Sequence, residues 1–363
     1  MSTVQTNATD WSSLCAEAME SVQQVEMPGN FQIPALPTSL TRFVEASKSP
    51  DADMRKLGAI IEHDPGLSLD LLRFVNAAVR ATSNPARTPT DALIRLGIPT
   101  TRNFLLSAGI KSTTLGLRSK LMNHHNFWNE SLRRAVFARS VAGRLRTDVE
   151  IAFMGGLLQD FMLPVLTNAF DDQYVAFLEL ETPQHLIDWE DETFGWNHAS
   201  IAACMAHRWH LPEDLVCAIF FHHQMEVPLL SPAPDVFNLF PVTMAALLPD
   251  QLKQVPEGMS RLLEAHSRSR CFDLLPLCDA VDQELREFCD PNDRPTRLKP
   301  IMERAVEEWT AAQQAENGDG DETAGEAPST DTNSADVDPA DIHSAGIDPA
   351  DSSAAADNPA DGA

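Results

Sequence analysis

The chain of 363 residues carries 53 Asp and Glu against 27 Lys and Arg, a net charge of −26, with 43% apolar and 22% charged residues. That length excludes a miniature scaffold, and the apolar content excludes wholesale disorder. The charge opposes non-specific attraction to nucleic acid or to an anionic bilayer, so neither direct nucleic-acid binding nor membrane insertion is expected.

In chain order, Trp11, Leu14, Ala18, Val22 and Val25 recur at near-helical spacing and predict a helix that docks on the body or on a second subunit. The first basic residue is Arg42, so the start lacks the charged region of a secretory signal and a cytoplasmic location is expected. Met54, Leu57 and Ile61 share one helical face. Asp64-Pro65 then supplies an N-cap and a proline at the first helical position, opening a helix through Leu67, Leu71, Leu72 and Val75. Thr90 is expected to cap the next helix, whose Leu93, Ile94 and Leu96 end at Gly97, before Pro99 restarts the pattern.

An amphipathic helix is predicted over 127–145, and one that is apolar nearly all round over 149–168, the central helix of a bundle. Gln159, Asp160, Pro164 and Asn168 interrupt that run, so a buried helix explains it better than a membrane span. Further helices are predicted over 171–180, 199–209, 212–223, 236–248, 259–265, 274–288 and 295–314. The proline-rich stretches 84–89 and 227–234 are predicted loops. Strand signals are nearly absent, and the expected fold is an all-α multi-helix globule.

Beyond Gln314 the composition shifts to Ala, Asp, Gly, Ser, Thr and Pro. Residues 315–363 hold thirteen acidic side chains and no Lys or Arg, half of the net charge, and include the loose repeat Asp338-Pro339-Ala340-Asp341, Asp348-Pro349-Ala350-Asp351, Asn358-Pro359-Ala360-Asp361. Such a segment buries too little apolar area to offset its ordering entropy and is expected to be a disordered acidic tail. The cysteines, at 15, 204, 217, 271, 278 and 289, form no CxxC pair and are expected to be reduced, buried thiols.

Two features carry chemistry. Asp160 interrupts the apolar run 153–163, and a carboxylate there must be paired, hydrogen-bonded, bound to a cation or turned toward a cavity. His198, His207, His210, His222 and His223 fall within 26 residues. His207 and His210 are three apart and could face one metal, whereas the adjacent His222 and His223 cannot both point to one side of a helix. Spacing alone leaves open both metal ligands and ordinary core or surface histidines.

The order of motifs resembles the HDOD domain, a divergent helical branch of the HD phosphohydrolase superfamily found in bacterial signalling proteins. The resemblance rests on Ile33-Pro34-Ala35-Leu36-Pro37, on Ile60-Ile61-Glu62-His63-Asp64-Pro65-Gly66-Leu67 followed by Leu72-Arg73-Phe74-Val75-Asn76-Ala77, and on Ala92-Leu93-Ile94-Arg95-Leu96-Gly97. It continues through Phe127-Trp128, Gly156-Leu157-Leu158-Gln159-Asp160, Asn197-His198-Ala199, Arg208-Trp209-His210-Leu211-Pro212 and Ile219-Phe220-Phe221-His222-His223. It implies a helical extension over 1–30, an HDOD domain over 31–248, a C-terminal helical extension over 249–314 and the tail from 315.

A working HD site holds one or two divalent cations through a first His, a His-Asp doublet and a later Asp, and the metals activate water against a phosphate ester. By resemblance, Glu130 stands at the first His, Gln159 at the His of the doublet and Ala246 at the later Asp. Asp160, His198, His222 and His223 remain. The six candidates for a relic pocket are therefore Glu130, Gln159, Asp160, His198, His222 and His223. No catalytic residue, resident metal or other cofactor is expected. The expected function is a non-catalytic regulatory module of signal transduction that binds an unidentified signalling protein or a small anionic ligand. The alternative is a residual metal-dependent phosphohydrolase acting on a nucleotide or cyclic dinucleotide.

Overall fold

Caps and prolines set the helices out one after another. A computed structural model of the chain describes residues 10–26, 35–49, 51–78, 85–114, 119–231, 233–269, 272–288 and 296–318, and among them no strand is present. The Asp10 carboxylate accepts a hydrogen bond from the Ser13 N–H at 2.7 Å and starts α1 (Trp11–Gln24), which buries Leu14, Cys15, Ala18 and Val22. α2 (Thr38–Ser47) and α3 (Met54–Glu62) follow. α4 (Pro65–Ala78) begins as the sequence pattern predicts, with the Leu67 N–H donating to Asp64 Oδ1 at 3.1 Å.

α5 (Pro89–Thr114) is bent at Gly97, where φ is +78°. Its cap is Thr88 rather than Thr90. The Asp91 N–H donates to Thr88 Oγ1 at 3.0 Å and the Thr88 N–H donates to Asp91 Oδ2 at 3.1 Å, a reciprocal cap that satisfies two exposed donors together. Thr90 instead lies against Gly58 of α3, where a Cβ would collide with its hydroxyl.

The centre of the molecule is built on α6 (His124–Leu145) and α7 (Val149–Leu158). The single helix expected over 149–168 is two helices, α7 and α8 (Leu163–Ala169). Pro164 has no N–H to return to the Asp160 carbonyl four residues earlier, so that carbonyl accepts from the Leu163 N–H at 2.9 Å and the chain turns. The turn carries Gln159 and Asp160. The stretch Val149–Ala169 is apolar enough to cross a bilayer, but 78% of its most apolar window is buried within the protein, as a core segment should be.

Then come α9 (Asp171–Leu178), α10 (Leu186–Phe194), α11 (His198–Arg208) and α12 (Glu213–Phe220). The predicted loop over 227–234 is in part helical: α13 (Glu226–Leu230) holds Pro228 in its first turn, where no intrahelical N–H is needed. The helix expected over 236–248 is a 3-10 helix, Pro234–Leu239, running into α14 (Phe240–Ala246), with Pro241 at the junction. α15 (Gly258–Ser269), α16 (Leu274–Phe288) and α17 (Leu298–Gly318) complete the described elements.

Residues up to Ala315 form one compact unit. One apolar cluster joins α2–α5 to α7–α12, a second joins α6 and α14 to α15–α17, and a third seats α1 on α12 and the 3-10 helix. Two glycines let α7 sink among its neighbours. A Cβ on Gly156 would stand 2.8 Å from the Arg134 carbonyl oxygen, and one on Gly155 would stand 2.8 Å from the Val242 side chain. This close approach of α7 to α6 sets Arg134 beside Asp160. Cys15, Cys204, Cys217 and Cys278 are free, buried thiols. Cys271, Cys289, Ile33-Pro34 and the predicted tail beyond residue 318 lie outside the described residues.

Candidate functional site

Five segments converge on Asp160: α6 brings Arg134, the α7–α8 turn brings Gln159 and Asp160, and α11 brings His198. The turn after α12 brings His222 and His223, and the segment after α14 brings Leu248 and Asp250. His198 is the first residue of α11, held there by Asn197, whose side chain accepts from the Ser200 N–H while the Asn197 N–H donates to Ser200 Oγ. α12 ends at Phe220, so His222 and His223 are free of the helical geometry that would have splayed them apart.

Asp160 Oδ2 accepts from Arg134 Nη1 at 2.6 Å and from Gln159 Nε2 at 3.3 Å. Arg134 Nη2 donates to the Leu248 carbonyl at 3.0 Å and to Asp250 Oδ2 at 3.2 Å. On its other side, Asp160 Oδ1 lies 3.4 Å from His198 Nε2 and 3.4 Å from His222 Nε2, and His198 Nε2 lies 3.0 Å from His223 Nε2. The rings are fixed from behind. His198 Nδ1 meets Glu190 Oε2 at 2.6 Å, His222 Nδ1 meets the Ile219 carbonyl at 2.7 Å, and the Tyr174 hydroxyl donates to Glu190 Oε1 at 2.6 Å.

Charge follows from these contacts. Burial works to raise the Asp160 carboxyl, but the Arg134 guanidinium and the two histidines hold it well below the usual carboxylate range. Burial disfavours charge on His198, yet Glu190 and Asp160 lift it to about 10. His222 and His223 are pushed down by burial, His223 well below its ordinary value with the neighbouring imidazoles adding to the effect. Burial and Glu190 raise the Tyr174 hydroxyl, which stays a donor. Without an ion these contacts favour charge on His198 and on the Asp160 carboxylate and disfavour it on His222 and His223.

The superfamily resemblance implies divalent cations here, and the residues fit one ion but not two. One donor atom each from Asp160, His198, His222 and His223 lies within 4.8 Å of all the others. Donors about 2.1 Å from a tetrahedral ion lie roughly 3.4 Å apart. Asp160 Oδ1 and His222 Nε2 are buried without a hydrogen-bond partner, and the Nδ1 atoms of His198 and His222 are engaged, which turns both Nε2 atoms toward Asp160 Oδ1. A second ion finds the opposite situation, because Arg134 occupies Asp160 Oδ2.

Of the six sequence candidates, Asp160, His198, His222 and His223 come together, and Gln159 touches Asp160 from the Arg134 side. Glu130 does not reach the histidines: it lies one turn before Arg134 and accepts from Gln251 Nε2 at 3.3 Å, with burial raising its carboxyl against the pull of the two arginines. Ala246 ends α14 buried and supplies no ligand. The His207/His210 pair is not a site either, because α11 ends between them and His210 turns outward with φ +58°. Arg134, Glu190, Tyr174 and Asp250 were not singled out from the sequence. The Arg133-Arg134 doublet next to the apolar run Ala135-Val136-Phe137-Ala138 is the one signal that points to a buried countercharge.

The HDOD domain model matches residues 33–225, more than half of the chain. The chain belongs to the HDOD domain family. This HDOD chain is 30% identical over 199 residues to an uncharacterized protein of Treponema pallidum (strain Nichols), a match covering 53% of this chain and 38% of that protein. It thus spans well under half of that relative's length.

Among solved structures it is similar to a candidate phosphohydrolase from Shewanella amazonensis SB2B, with a TM-score of 0.55 at 21% identity over 75% of this chain and 95% of that one. It is also similar to an HDOD domain protein of unknown function from Geobacter sulfurreducens, at 0.50 and 19% over 84% and 98%. A candidate signal transduction protein from Marinobacter aquaeolei VT8 matches at 0.52 and 17% over 79% and 66%. At these identities the likeness is one of fold.

Proposed function

We propose that this HDOD chain is a non-hydrolytic regulatory module that works through contact with a signalling partner, its former reaction centre reduced to a largely enclosed polar cluster. The observation that carries the reading is the burial of three of the four donors. Asp160 is 1% exposed, His198 and His222 are 0% exposed, and Arg134, which neutralises Asp160, is buried with them, while His223 alone is half-buried. A hydrolytic metal centre needs an ion with a coordination position open to water and substrate. Asp160, His198, His222 and His223 would hold a single divalent ion, and its charge would tie the α7–α8 turn to α11 and to the turn after α12.

The second reading, a residual phosphohydrolase acting on a nucleotide or cyclic dinucleotide, draws support from the same four-donor cluster. Assays of the full chain on bis(p-nitrophenyl) phosphate and on a cyclic dinucleotide, with added zinc or manganese, separate the two. The expected result is no metal-stimulated turnover and no difference between wild type and Asp160→Ala. Turnover that requires metal and disappears in Asp160→Ala would replace the first reading with the second.

A further inference from the structure

The ligand set that fails to fit a second ion is itself informative. Around the Arg134 guanidinium stand Asp160 Oδ2 at 2.6 Å, the Leu248 carbonyl at 3.0 Å and Asp250 Oδ2 at 3.2 Å. Glu130 lies close enough for its charge to act on Arg134. All of these are oxygen donors, the kind that hard cations select. Asp250 is fixed in turn, its Oδ1 accepting from the Leu252 N–H at 2.8 Å and its Oδ2 from the Gln254 N–H at 3.3 Å. The guanidinium stands on the opposite side of the Asp160 carboxylate from the three imidazoles.

We propose that Arg134 is a covalently tethered cation filling an oxygen-lined site, Asp160 Oδ2, Asp250 Oδ2 and the Leu248 carbonyl, and thereby sets the nuclearity of the whole centre at no more than one exchangeable ion. Three consequences follow from chemistry alone. The tethered charge cannot be removed by a chelator. It cannot be deprotonated in the accessible pH range, because arginine stays charged. Nor does it offer an open coordination position, because a guanidinium has no lone pair or vacant site for water, and its Nη1 and Nη2 donors meet carboxylate and carbonyl oxygens. The half of the centre facing Asp160 Oδ2 is therefore a permanent structural fixture, and only the imidazole half is left to exchange a proton for a metal.

The inference deepens the reading above, since it states what keeps a second ion out. Its test reads thermal stability rather than hydrolysis, so either can fail without the other. Arg134→Ala in the full chain should melt well below wild type. Guanidinium chloride at about 10 mM should raise that midpoint by roughly 3 °C if the vacated site binds it in the millimolar range. Magnesium chloride should do the same, while sodium chloride at matched ionic strength should not, and wild type should respond to neither guanidinium nor magnesium, because its remaining donors are mostly imidazoles, which magnesium does not favour.

Equal responses in variant and wild type, or no response in either, would overturn the proposal. Arg134→Ala alone could fail to fold, so the triple variant Arg134→Met/Asp160→Asn/Asp250→Asn provides the second arm. With guanidinium and carboxylate charges removed together, it should fold and melt above Arg134→Met. A triple variant no more stable than the single one would contradict the account of Arg134 as the countercharge.

Discussion

The two oxygens of Asp160 face opposite chemistries. Oδ2 meets a guanidinium and an amide, and its neighbours Asp250 and Leu248 are drawn onto the same guanidinium. Oδ1 meets imidazole nitrogens and, like His222 Nε2, is left without a hydrogen-bond partner. One side is closed by a side chain of the protein itself, and the other is poised for a proton or a metal. A buried carboxylate tolerates the second condition because the first already supplies a full countercharge at 2.6 Å.

This asymmetry can be broken in steps. Arg134→Met should be the most damaging change: it strands Asp160 and Asp250 in the interior, and breaking a buried pair costs about 3–5 kcal/mol. A chemical denaturation curve would show the midpoint fall, and a loss below about 1 kcal/mol would mean the pair is dispensable. Glu190→Gln comes next. It weakens the acceptor that holds His198 through both its backbone N–H and Nδ1, at 2.8 and 2.6 Å, and should cost about 2–3 kcal/mol.

Gly156→Ala tests the close approach rather than the charge. Its methyl group would press on the Arg134 backbone, for an overpacking cost of about 1–3 kcal/mol by the same denaturation experiment. Tyr174→Phe, which removes one donor from Glu190 and nothing from Asp160, should cost about 1–2 kcal/mol. If Tyr174→Phe proved as harmful as Arg134→Met, the imidazole side rather than the arginine side would dominate the centre.

Much of this was legible in the sequence, for physical reasons that differ from element to element. The start of α4 was readable because Asp64-Pro65 is a local signal, and the bend at Gly97 because only glycine adopts that φ readily. Asp160 stood out because a lone carboxylate in an apolar run has to be compensated. The split of 149–168 was readable in principle, since Pro164 was in view, but continuous hydrophobicity masked it. α10 was missed because LIDWEDETF shows so few apolar positions; it buries Leu186 and Trp189 and spends the third buried position on Glu190, a charge that makes sense only beside His198. Arg134 was hidden in the same way. Its partners Asp160 and Asp250 lie 26 and 116 residues away in sequence, so no local pattern could disclose them.

The most direct test is ion stoichiometry. The full chain is loaded with excess zinc or manganese, passed over a desalting column and analysed for metal. The account predicts at most one zinc per chain, lost in His222→Ala, and no further ion of either kind while Arg134 is in place. Two ions per wild-type chain would contradict it.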